Sequence, residues 1–72
     1  MPKFPVAKPK AVINALKKIG FEVIRISGSH YVLKKDNNIV TIPYHNRDLR
    51  IKTLKSIIQQ AEITVDELRK NL

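Results

Sequence analysis

Residues 21–43 read FEVIRISGSHYVLKKDNNIVTIP, and this stretch decides the fold. Phe21-Glu22-Val23-Ile24-Arg25-Ile26 is aromatic and β-branched, a composition that suits a pleated, half-buried surface and predicts a strand. Ser27-Gly28 follows as a turn signal. Ser29 to Lys35 predicts a second strand centred on Tyr31, Val32 and Leu33. Asp36-Asn37-Asn38 is hairpin chemistry, because short polar side chains tolerate positive φ. Ile39-Val40-Thr41-Ile42 predicts a third strand, ended by Pro43, which has no N–H for a ladder. Three short strands in succession with tight turns imply an antiparallel meander.

Helical periodicity flanks the meander on both sides. Upstream, Val12, Ile13, Leu16 and Ile19 form one apolar stripe over 9–19, with Lys10, Asn14, Lys17 and Lys18 largely off it. Pro9 suits the first helical position, where its missing N–H costs nothing, and Gly20 suits the stop. Residues 1–8, with Pro2, Pro5, Lys3 and Lys8, predict an extended arm. Downstream, residues 44–50 are a polar loop, and Ile51, Leu54, Ile57, Ile58 and Ala61 stripe a second helix over 51–61. Thr64, with Glu67 three residues on, has the form of a capping box and predicts a short final helix over 65–70. The expected class is α+β: a three-stranded antiparallel sheet, two helices on one face in the order α-β-β-β-α, and a short C-terminal helix. The other face of the sheet stays open to solvent or to a partner.

The chain has 72 residues, which make a single domain, and a chain this short buries only about 60% of its unfolded surface. Fourteen Lys and Arg against six Asp and Glu give a net charge of +8. A surface so charged draws in polyanions, with nucleic acid first, an acidic protein second and an anionic membrane a distant third. The bland alternative is a basic surface that only confers solubility, as lysines on solvated helix faces do. The absence of cysteine excludes disulfides and thiolate metal sites. The N-terminus lacks the apolar run of a signal peptide, and no stretch approaches the roughly 18 apolar residues of a membrane span. A cytoplasmic protein without membrane contact is expected.

Two histidines, His30 and His45, are the residues able to move protons near neutrality. RNA carries its own nucleophile, the 2′-hydroxyl, so an RNase needs only a proton-moving group and positive charge about the phosphate. Arg25, Lys34, Lys35, Arg47 and Arg50 are available as phosphate partners. An exposed histidine is more often an ordinary surface residue, and these residues alone do not decide between the two. Other chemistries are poorly supplied. There is no HExxH or comparable metal spacing, and Gly20 and Gly28 are too few for a phosphate loop. Ser29 neighbours His30, but adjacent strand positions face opposite sides, so it is poorly placed to share a proton with that ring.

Several spaced motifs carry a resemblance. Leu16-Lys17-Lys18-Ile19-Gly20-Phe21, then Arg25, then Gly28-Ser29-His30, resembles the HicA (YcfA-like) mRNA interferase toxins. Val40-Thr41-Ile42-Pro43-Tyr44-His45 is similar to that family's V-x-V/I-P-x-H segment, and Lys52-Thr53-Leu54 with Ile57-Ile58 to its G-T-L-x-x-I-L helix start. The likeness runs over about residues 10–62. It departs at Lys52, where the family usually has Gly, and at Asp36-Asn37-Asn38, where Pro-Asp-Gly is frequent. The resemblance implies a double-stranded-RNA-binding-like fold, which reads A-form shape and phosphates. It also implies metal-independent cleavage of mRNA, a catalytic role for His30, and a HicB-type antitoxin that covers the active site. It implies no small-molecule cofactor. Arg25, Ser29, Lys34, Lys35, His45, Arg47 and Arg50 are the expected RNA contacts. For His45, loop ordering, RNA contact and proton transfer all remain open. The rival class is a non-catalytic RNA-binding module, in which His30 is one contact among many. DNA binding is weaker still, since no helix-turn-helix pattern appears.

Overall fold

The computed structural model describes residues 4–72. Its elements are α1 (Pro9–Ile19), β1 (Glu22–Ser27), β2 (His30–Lys35), β3 (Asn38–Pro43), α2 (Ile51–Ala61) and α3 (Val65–Asn71). This is the expected α+β order. Each predicted strand lies within one residue of its observed bounds, and both predicted long helices match. Of the arm expected over 1–8, residues 1–3 lie outside the described residues.

The strands form one sheet in the order β1-β2-β3, both pairs antiparallel. Each hairpin closes over two residues, with Ser27 paired to His30 and Lys35 to Asn38. Gly28 at the first loop position has φ +57°, and Asp36 at the equivalent place has φ +54°. Positive φ at the first loop residue matches the right-handed twist of the strands. The register shifts between Val23 and Arg25, leaving Ile24 as a bulged residue.

Strand alternation sends Val23, Tyr31, Leu33, Val40 and Ile42 to the helical side. Leu33, Val40 and Ile42 have no solvent exposure. Val12, Leu16, Leu54 and Ile57 meet them as fully buried helix residues. The helices cover β2 and β3 rather than the whole sheet: α2 packs on β3, and α1 on α3 and more lightly on β3. Ile26 of β1 is left 57% exposed. The outer edge of β3 is closed by α2, since the Thr41 N–H donates to Gln60 Oε1 at 3.1 Å and Asn38 Nδ2 donates to the Ala61 carbonyl at 3.3 Å.

Helix ends follow local chemistry. Pro9 begins α1, and Gly20 ends it with φ +121°, its N–H donating to the Leu16 and Lys17 carbonyls. Glu62 turns the chain out of α2 in the left-handed conformation. Thr64 and Glu67 make the reciprocal bonds of a full capping box at the start of α3. α3 is more than an appendage, because Leu68 has no exposure and belongs to the single core. Among the described residues, no helix is long and apolar enough to cross a membrane.

Candidate functional site

His30 is the first residue of β2, immediately after the Gly28-Ser29 turn, and its side chain is exposed. The pairing register fixes what surrounds it on the uncovered face. Ser27 and Pro43 flank it in one row, Arg25, Val32 and Thr41 make the next, and Glu22, Lys34 and Ile39 the third. His30, Arg25 and Lys34 therefore share one face, and Ser29 sits in the turn beside them.

The end of the sheet that carries His30 is tied to the following loop. The Tyr44 N–H donates to the Ser29 carbonyl at 2.6 Å. The Tyr44 ring stacks on Tyr31, with centroids 4.8 Å apart and planes 24° from parallel. Further along, Leu49 is buried and its N–H donates to the Ala7 carbonyl at 2.8 Å. The segment before α1 thus runs alongside the loop and straps it. Lys55 Nζ of α2 lies 5.5 Å from the centre of the Phe4 ring, a second contact of the same segment.

Between these anchors His45, Arg47 and Asp48 are exposed, as is Arg50 just beyond Leu49. With Thr53 of α2 they line an open depression of about 430 Å³. The Arg47 backbone N–H donates to His45 Nδ1 at 3.1 Å. That bond requires a lone pair on Nδ1, so the neutral ring carries its hydrogen on Nε2. Arg50 stands at the N-cap of α2 without a side-chain capping bond, and the first turn of α2 holds no acid.

Lys35 is separated from both groups. It faces the helical side, and its Nζ donates to the Ile19 carbonyl at 2.9 Å in a part-buried contact. Its stem lies against Gly20, where an added Cβ would stand 3.2 Å from Lys35 Cε. Of the residues expected to meet RNA, the structure places Arg25 and Lys34 on the same sheet face as His30, one and two rows away, with Ser29 in the adjoining turn. It gathers His45, Arg47 and Arg50 about the loop depression, and it gives Lys35 a bond within the fold. Thr53 and Asp48 also line the depression and are not among the expected RNA contacts; Thr53 belongs to the Lys52-Thr53-Leu54 helix start, whereas an acid among cations carries no signal of its own.

The cations on these surfaces are not neutralised. Among the described residues the single ion pair is Arg69 with Asp66 at 3.7 Å. Arg25, Lys34, Arg47 and Arg50 have no carboxylate within 4 Å, and their side chains make no hydrogen bond among the described residues. Glu22 shares a row with Lys34 without reaching it. Positive charge left unpaired in this way is available to an external polyanion. Among the described residues no three His, Cys, Asp or Glu side chains come together as metal donors.

Residues 9–63, from the start of α1 to just beyond α2, match the family model described as the HicA toxin of bacterial toxin–antitoxin systems. No curated protein matches the chain.

Proposed function

The chain belongs to the HicA toxin family, the toxin partners in bacterial toxin–antitoxin pairs, and from that premise we propose that it is a metal-independent endoribonuclease that cuts mRNA in the cytoplasm with His30. The observation that carries this reading is the position of His30: exposed at a strand end, on the uncovered sheet face, with the unpaired Arg25 and Lys34 on that same face. His30 takes the proton of a ribose 2′-hydroxyl as general base. The 2′-oxygen bonds to the adjacent phosphorus, and the bond from phosphorus to the 5′-oxygen breaks. That oxygen leaves as a hydroxyl after gaining a proton from solvent or from the imidazolium. The products are a 2′,3′-cyclic phosphate and a 5′-hydroxyl end. Arg25, one row from His30, lowers the cost of the charge that gathers on the phosphate oxygens, and Lys34, two rows along, holds the RNA strand on the same face. The proton transfers need no metal ion.

Family membership implies a cognate antitoxin. On a chain of +8, its fitting surface is acidic, and placed over the open sheet face it would shut RNA away from His30.

The test is incubation of labelled mRNA with pure protein in EDTA, for wild type and His30→Ala. Wild type is expected to cut the RNA, and His30→Ala to bind it with similar affinity and leave it intact. Cleavage by His30→Ala at the wild-type rate would remove His30 from the chemistry. Binding without cleavage by wild type would leave an RNA-binding module in its place.

A further inference from the structure

The loop from Tyr44 to Arg50 is built in a way that the chemistry at His30 does not use. It is pinned at its start by the Tyr44–Ser29 bond and the Tyr31–Tyr44 stack. It is pinned near its end by buried Leu49 and the Leu49–Ala7 bond. Its exposed side chains are therefore presented from a backbone already fixed, which lowers the ordering cost of binding. Four of them, His45, Arg47, Asp48 and Arg50, surround an open depression together with Thr53. His30 does not line it.

We propose that this depression is a second phosphate subsite, which holds an RNA backbone phosphate other than the one His30 attacks. The proposal rests on the ribonuclease reading and deepens it. Two guanidiniums without carboxylate partners supply charge and forked donors that match phosphate oxygens. The Thr53 hydroxyl is a further donor. His45 has a particular part. Because Nδ1 accepts the Arg47 N–H, the neutral ring offers Nε2–H as a donor. His45 is thus a fixed hydrogen-bond donor to the phosphodiester, while His30, whose ring nitrogens make no bond among the described residues, handles the proton. Asp48 on the rim repels an anion, and the two arginines outweigh it. The division of labour is spatial: chemistry on the sheet face, strand holding on the strapped loop.

The experiment measures binding of a fluorescein-labelled 2′-O-methyl RNA, which lacks the nucleophilic hydroxyl, as a function of NaCl concentration. The proteins are full-length wild type, His30→Ala, His45→Ala, His45→Gln and the double variant Arg47→Gln/Arg50→Gln. One phosphate contact on a single strand contributes about 0.7 to the slope of log affinity against log salt. The double variant is expected to lose about that much slope and roughly tenfold in affinity, the scale of one charge-assisted contact. His45→Gln, whose amide can donate, retains affinity that His45→Ala loses. His30→Ala keeps the wild-type slope. On cleavable mRNA the double variant raises KM and leaves kcat close to wild type. An unchanged slope in the double variant overturns the subsite. So does wild-type RNA binding by that variant with weakened capture of purified antitoxin, which would assign the loop to the protein partner. Failure of wild type to bind RNA at all sinks the ribonuclease reading and the subsite with it, whereas normal His30-dependent cleavage with an unchanged slope sinks the subsite alone.

Discussion

At the scale of single residues, Lys34 and Lys35 show how adjacent lysines acquire different work. Strand alternation points Lys34 to the open face and Lys35 to the helices. Lys35→Met removes the donor to the Ile19 carbonyl and a cation at the C-terminal end of α1. It should lower stability by about 1 kcal/mol in urea melts and change RNA affinity little. Lys34→Gln should do the reverse, weakening RNA binding severalfold with an unchanged melt. Equal effects of the two on RNA affinity would contradict the assignment. The residue types of the site were legible in the sequence: two histidines amid cations. Their grouping was not, because side chains on opposite faces of a strand are one position apart in the chain and a whole sheet apart in space. His45 is a second case. Its tautomer depends on where the Arg47 amide points, which no spacing rule encodes.

At the scale of elements, the helix ends carry separable stability terms. Glu62 adopts φ +54° at the end of α2, a conformation that costs an L side chain and that glycine takes freely. Glu62→Gly should raise stability by roughly 0.5–1 kcal/mol, visible as a higher urea midpoint at constant m-value. Thr64→Ala should cost about 1 kcal/mol, since it removes the bond from the Glu67 N–H that opens α3. Most elements could be read from pattern alone, because amphipathic period and cap chemistry are local. The bulge at Ile24 could not, since a bulge is a mismatch in length between two strands and belongs to the pair. It also serves the edge. β1 is the exposed side of the sheet, and a bulge beside Arg25 disfavours pairing with another strand.

At the scale of the whole molecule, all three helices and two of the strands supply the buried residues of one small core, Val23 of β1 packs against it, and α3 is its least obvious member. A domain of this length has roughly 4–11 kcal/mol of stability in total. Leu68→Ala leaves a cavity in a fully buried position and should cost about 2–5 kcal/mol, a large part of that total and visible as a melt lowered by many degrees. A melt within a few degrees of wild type would show that α3 is dispensable to the core. The sequence by itself determined the element order, the antiparallel meander, the identity of the two apolar stripes and the strongly basic charge, because each depends on residues within a turn or a strand pair of one another. Only the tertiary structure decided that the helices leave β1 half bare, that α3 closes the core, and that the basic residues divide between a sheet face and a strapped loop. Those features depend on which surfaces meet across long stretches of chain, and contacts of that kind are fixed by packing and hydrogen bonding in three dimensions rather than by local period.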